Sequence, residues 1–295
     1  MRIGVNQFCF PAGCDVVQAL RRAKAIGFDC VELCLTADQS PEKTAGGVTD
    51  ALDISGYYNR LLHEHVGERE LLELRRVSED VGLPVCSVGG IVSFSIYPLT
   101  AQDPSIAQRS MDAVRRMLDA AQTLGAGSIL VVPGIATEDL RYEQAYETAQ
   151  TRVAQLADYA PGIQLMIENV WNNMLYSPLE MARFVDEMGK ENVGICFDIA
   201  NARRFGSPEQ WMRTLGRRIR ELHCKDYRMS IDNINGFTNI LDGDVNYPAV
   251  LAAAREIGFD GSWVVELIPP AHCMVDRTLR HALETLRALD ADEIN

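Results

Sequence analysis

The sequence lacks most of the signatures that sort proteins into broad classes. No CxxC pair occurs among its eight cysteines, and at 295 residues the chain is too large to need disulfide staples. Cys30, Cys34, Cys86 and Cys196 lie inside apolar runs, where cysteine behaves as a small hydrophobe. No apolar run approaches the roughly 20 residues that span a bilayer. The opening MRIGVNQF has no basic segment followed by an apolar one, so no secretory signal is evident and a reducing cytoplasm is the expected compartment. Positive charge is scarce: 28 Lys and Arg stand against 41 Asp and Glu, a net charge of −13. Such an excess of acid repels phosphate backbones and anionic bilayers, which argues against nucleic acid or a membrane as partner. It does not exclude a small phosphorylated substrate, whose pocket a local metal or arginine can dominate. GxGxxG, Walker-type and GxSxG sequences are missing where their mechanisms need them, so dinucleotide, nucleoside triphosphate and serine-hydrolase readings fall away. No linker-like or low-complexity tract interrupts the chain, and residues 1–295 read as one domain.

What is present is a regular alternation. Eight short runs rich in Val, Ile, Leu and Cys read as strands covered on both faces: 3–8, 30–35, 84–89, 128–132, 163–168, 193–198, 219–225 and 262–267. Between them lie amphipathic patterns with helical period at 15–26, 69–81, 105–124, 141–159, 178–188, 208–215, 247–257 and 277–289. Several helices end in a glycine that leads straight into a strand, as in AIGFDCVEL, DVGLPVCSV, TLGAGSILVV and EIGFDGSWVVEL. Glycine there supplies a left-handed C-cap. Eight βα units predict an α/β fold, a single parallel (β/α)8 TIM barrel rather than an open sheet. The stretch 36–67 is long, polar and glycine-containing, and reads as an extended β2–α2 loop forming part of a lid over the barrel mouth.

In such a barrel the C-terminal ends of the strands point into the mouth where chemistry occurs. The fifth to eighth strands each end in or carry an ionisable residue: Glu168 in IQLMIEN, Asp198 in VGICFDIAN, His223 in IRELHCKD and Glu266 in WVVELIPP. A charge beside an apolar run is costly unless it is paired or metal-bound. One carboxylate at a strand end serves equally well as a helix cap or a salt-bridge partner, and one histidine as a hydrogen-bonded core residue. Four at successive strand ends are harder to explain that way, because neighbouring strands about 4.8 Å apart let their side chains meet at one ion. Three carboxylates and an imidazole form a mostly hard ligand set, suited to one divalent metal: Mn²⁺ first, then Mg²⁺, with Co²⁺ or Zn²⁺ also compatible.

The stretch ENVWNNMLYSPLEMARFVDEMGKENVGICFDIANARRFGSPEQWMRTLGRRIRELHCKDY resembles the sugar phosphate isomerase/epimerase group of the xylose isomerase-like TIM barrels, and LDGDVNYPAVLAAAREIGFDGSWVVEL continues the resemblance. The likeness is strong over residues 163–267 and weakest in 36–67. It implies a metal held by Glu168, Asp198, His223 and Glu266, as in ketose 3-epimerases, with Glu168 and Glu266 as the catalytic acid/base pair. The implied activity is that of an isomerase: epimerisation or isomerisation of a ketose or ketose phosphate through an enediolate.

Asn6, Asn169, Trp171, Asn201, Lys225 and Arg228 are candidate substrate contacts around this mouth, and His63 and His65 are candidates on the lid. Asn201 departs from the histidine that several relatives carry there. Glu32, Asp226, Arg203 and Arg204 could serve the pocket or only brace its surroundings. Asp244 falls in a region expected to cap the seventh helix. A metal-dependent dehydratase of a keto-inositol or dehydroshikimate-like substrate remains open, because it begins with the same proton abstraction. An abasic-site endonuclease-like phosphodiesterase needs several metals, and only five histidines are present. A non-catalytic sugar-binding barrel would not need two opposed carboxylates. A homo-dimer or homo-tetramer is expected from the group, although no segment identifies an interface.

Overall fold

Helices begin and end where local chemistry completes their unpaired backbone groups. The computed structural model describes residues 1–11, 13–36, 59–90, 97–267 and 271–291. Helix α1 (Val16–Ile26) starts on a capping box: Asp15 accepts from the Gln18 amide, and Gln18 accepts from the Asp15 amide. It stops at Gly27, whose φ of 110° would strain any side chain. Gly82 does the same for α2 (Glu68–Val81). Prolines open α3 (Pro104–Leu124), α5 (Pro178–Glu187) and α6 (Pro208–Leu215), where a missing N–H costs nothing. The remaining long helices are α4 (Tyr142–Tyr159), α7 (Tyr247–Glu256) and α8 (Val275–Asp290). Among the described residues no helix is long and apolar enough to cross a membrane.

The strands are β1 (Arg2–Asn6), β2 (Cys30–Leu35), β3 (Val85–Gly90), β4 (Ser128–Val131), β5 (Gln164–Glu168), β6 (Val193–Asp198), β7 (Ile219–Cys224) and β8 (Ser262–Val265). They form a closed parallel barrel in the order β1-β8-β7-β6-β5-β4-β3-β2. Closure comes through β1, which pairs with β2 at Gly4↔Cys30 and with β8 at Arg2↔Ser262. The expected (β/α)8 barrel is therefore the fold, with strand ends shifted by a residue or two. The first strand stops at Asn6 because its side chain accepts from the Phe8 amide at 2.7 Å and caps a 3-10 turn over Gln7–Cys9.

Alternation along each strand divides the interior in two. On β2, Val31, Leu33 and Leu35 join the large core between sheet and helices, whereas Cys30, Glu32 and Cys34 point the other way, into the barrel. Among the described residues several short elements have no counterpart among the predicted segments. A helical turn, Ile199–Arg203, follows β6. A two-stranded antiparallel ribbon, Asp226–Tyr227 with Phe237–Thr238, follows β7. Of the predicted lid, residues 37–58 lie outside the described residues. Its described ends are tied to β2: Asn59 donates to the Cys34 carbonyl at 2.7 Å, and Thr36 bridges to His63.

Candidate metal centre

Glu168 and Asp198 terminate β5 and β6, His223 lies on β7, and Glu266 directly follows β8. The Glu266 amide still donates to the Cys224 carbonyl at 3.1 Å, so that residue is held in the ladder's register. All four side chains are buried, and one potential ligand atom from each lies within 4.8 Å of the others. Nδ1 of His223 sits 3.4 Å from Glu168 Oε1 and 3.4 Å from Glu266 Oε2. Asp198 works twice: Oδ1 accepts from the Asn201 amide at 2.8 Å and caps the turn after β6, while Oδ2 pairs with Lys225. Lys225 also reaches Glu266 Oε2 at 2.6 Å.

These surroundings treat the carboxylates differently. Burial pushes Glu168 up to about 7; His223 opposes this only in part, and Glu266 and Asp198 add to it. Burial also tends to raise Glu266, but Lys225 and then His223 outweigh it and hold this carboxyl well below the usual range. At Asp198 burial prevails over the opposing Lys225 and the group is raised. Lys225 itself is raised despite burial, because Asp198 and Glu266 favour its charged form.

A second polar layer lies below this one. Nε2 of His223 is 3.0 Å from Glu32 Oε1, which also receives a 2.5 Å hydrogen bond from Asn6 Nδ2. Ser87 Oγ lies 2.9 Å from both Glu32 Oε2 and Glu221 Oε1. Its single hydroxyl hydrogen can serve only one of them. Burial and the neighbouring Glu32 push Glu221 well above the usual carboxylate range, which favours a proton on this carboxyl rather than a second buried charge.

The other predicted residues separate into those that reach the mouth and those that do not. Asn169 clamps the backbone of Asp198, donating to its carbonyl at 2.8 Å and accepting from its amide at 2.7 Å. Asn201 donates to the Asn169 carbonyl at 3.0 Å and accepts from Trp171 Nε1 through its own carbonyl at 3.1 Å. Trp171 stacks on Phe237 with centroids 5.0 Å apart and meets Tyr227 edge-on, forming an aromatic wall. Asn6 braces Glu32 and approaches Glu266 at 3.5 Å. A cavity of about 220 Å³ opens beside Lys225, lined by Phe237, Thr238, Asn239, Leu267, Ala271 and Thr278.

Arg228 is exposed and donates to the Asp242 carbonyl, and His65 is exposed beside Glu64. His63 accepts from the His65 amide at 3.3 Å. Arg203 and Arg204 are engaged by the Asp244 carbonyl and by Asp232. Asp226 is a loop organiser: it accepts from the amides of Tyr227, Val245 and Leu241. Gly243 is needed there because a Cβ would lie 2.3 Å from Asp226 Oδ1. The cap of α7 is Asn246, not Asp244, which accepts instead from the Met229 amide. Glu221 was not anticipated, although it sits two residues before His223 and so on the same face of β7.

The donor set fits a divalent metal. His223 Nδ1 is buried, has no hydrogen-bond partner and faces two carboxylates, a costly arrangement unless something accepts its lone pair or its hydrogen. Comparison with known proteins agrees with the fold. The profile of the family described as xylose isomerase-like TIM barrel matches residues 20–289. The chain is 27% identical over 188 residues to an inosose isomerase of Bacillus velezensis, covering 59% of this chain and 66% of that protein. It is 22% identical over 274 residues to the L-ribulose-5-phosphate 3-epimerase UlaE of Salmonella paratyphi C, covering 90% and 86%. Across the Bacillus proteins and an archaeal relative it spans 61% to 66% of the relative's length. The structure of a D-tagatose 3-epimerase-like protein superposes with a TM-score of 0.77 at 18% identity, covering 99% and 97% of the two chains, a likeness of fold.

Proposed function

The chain belongs to the xylose isomerase-like TIM barrel family, and on that premise we propose that it is a metal-dependent epimerase or isomerase of a ketose or ketose phosphate. The observation that carries the reading is the convergence of Glu168, Asp198, His223 and Glu266 within 4.8 Å around an unpartnered imidazole nitrogen. The names of the Salmonella and Bacillus relatives support a sugar or a cyclic ketone as substrate. A divalent ion held by these four, Mn²⁺ or Mg²⁺ by the hardness of the set, supplies Lewis-acid polarisation of a carbonyl.

The chain's own residues do the rest. Glu168 and Glu266 come from strands separated by two others, and each lies 3.4 Å from His223 Nδ1. One takes the proton from the carbon next to the carbonyl, and the other returns a proton. Return to the same carbon from the opposite face gives an epimer, and return to the neighbouring carbon gives aldose–ketose isomerisation. Substrate stereochemistry decides which glutamate starts. Lys225 offsets charge: three mouth carboxylates are balanced by one ammonium and one divalent cation. Asn169 and Asn201 keep Asp198 in place. Phe237, backed by Trp171, offers an apolar surface in the cavity beside Lys225, and the hydroxyl and amide groups of Thr238, Thr278 and Asn239 suit a sugar's hydroxyls. Eight free cysteines fit a reducing cytoplasm.

The test is a screen of Mn²⁺-loaded protein in D₂O against ketoses, their phosphates and an inosose. The expected result is deuterium entering a carbon next to the carbonyl. Glu168→Gln and Glu266→Gln should each retain some metal and lose turnover, and the variant lacking the glutamate that starts should also lose that exchange. Normal exchange in both variants removes the acid/base pair. The inosose isomerase relatives favour a second reading, dehydration of a keto-inositol after the same proton abstraction. A product lighter by one water identifies it.

A further inference from the structure

The polar layer beneath the mouth has a geometry that bears on how the imidazole is presented. A neutral imidazole carries its hydrogen on one nitrogen, and the partner of that nitrogen decides which one remains free to ligate. His223 has two different environments: Nε2 lies 3.0 Å from Glu32 Oε1, while Nδ1 points at Glu168 and Glu266 without a hydrogen-bond partner. Glu32 is itself fixed. It is fully buried, Asn6 donates to its Oε1 at 2.5 Å, and Ser87 Oγ lies 2.9 Å from its Oε2. A buried carboxylate with three convergent donors, Asn6, Ser87 and the His223 ring, is stable there and immobile.

We propose that Glu32 is the positioning residue of this centre: by accepting the Nε2 hydrogen of His223 it fixes the ring's tautomer and orientation and aims the Nδ1 lone pair into the mouth. Glu32 touches neither substrate nor the reacting atoms. The proposal rests on the metal-binding reading above, and it assigns a function to a residue that a core interpretation would treat as a buried acid in need of partners. Such outer partners of ligating histidines typically govern metal affinity by about 10–100-fold.

Titration calorimetry with Mn²⁺ alone tests it, on the wild type and on Glu32→Ala, Glu32→Gln and Ser87→Ala. Glu32→Ala is expected to weaken Mn²⁺ binding about 10–100-fold. Glu32→Gln, whose amide oxygen still accepts from Nε2, should recover most of that loss. Ser87→Ala frees one Glu32 oxygen and should give a smaller loss, so the test stands even where Glu32→Ala fails to fold. Nitrogen-15 spectra of the Zn²⁺-loaded wild type supply a readout that a merely structural role would not set: His223 should carry its hydrogen on Nε2. Wild-type affinity in Glu32→Ala, or a hydrogen on Nδ1 of the loaded protein, overturns the proposal. A wild type that takes up no divalent ion instead refutes the metal reading itself, and the two failures are thus distinct.

Discussion

Replacing Lys225 by methionine removes the one ammonium that bridges two carboxylates of the mouth. The side chains are 4% exposed for Lys225, none for Asp198 and 11% for Glu266, so water cannot take over the screening. An exposed pair such as Arg75–Glu79, with 49% and 60% exposure, contributes under about 1 kcal/mol. Breaking a buried pair from one side costs about 3–5 kcal/mol, because the remaining charge stays buried without a partner. Here two carboxylates are left. With a chelator present, Lys225→Met should therefore melt on the order of 10 °C below the wild type. Adding Mn²⁺ should raise its Tm more than it raises that of the wild type, since the ion offsets the same carboxylates. Differential scanning calorimetry with and without metal measures both quantities. A chelated variant that melts within about 2 °C of the wild type would refute the claim that Lys225 is the counter-ion of this centre.

Two further outcomes follow from groups around the mouth and on the helical shell. Asp226→Ala removes the shared acceptor of three loop amides, and urea denaturation should show a loss of about 3 kcal/mol. The phenol of Tyr142 donates to Glu180 at 2.6 Å and accepts from the Leu175 amide, and burial followed by Glu180 raises it from 10 to about 12. A group raised in the folded state contributes fully below its unfolded value and loses that contribution as pH climbs. The wild type should thus lose stability faster than Tyr142→Phe between pH 10 and about 12, and parallel curves would contradict this.

The barrel and the rim of its site were legible in the sequence for one reason. Strands covered on both faces are apolar runs, and an ionisable residue at the end of such a run stands out, as Glu168, Asp198 and Glu266 do. His223 was visible at the end of β7, whereas Glu221, the first residue of the Glu-Leu-His alternation, reads on its own as an ordinary mid-strand charge. The ribbon Asp226–Tyr227/Phe237–Thr238 and the turn Ile199–Arg203 were not legible, being too short for any periodicity to emerge. The role of Asp226 stayed open because a carboxylate that binds a sugar and one that gathers three loop amides read identically in one dimension. The same ambiguity covers Arg228: only the fold shows that its guanidinium goes to the Asp242 carbonyl.

The interior of the barrel explains why the rim alone was an incomplete description. A (β/α)8 barrel is ordinarily filled by layers of branched apolar side chains. Here the layer under the mouth is polar: Glu32, Ser87, Glu221 and the inner edge of His223, all buried. Burying two carboxyls in one layer costs stability unless both are hydrogen-bonded and the charge is reduced; Ser87 contacts both, and the upward shift of Glu221 acts in the second sense. An apolar layer would pack at least as well but would leave Nε2 of His223 without an acceptor and the ring free to turn. The polar layer is thus best understood as the floor of the site. It trades packing for a fixed imidazole, and it predicts that substitutions on β2 and β3 alter metal binding although neither strand carries a residue of the proposed ligand set.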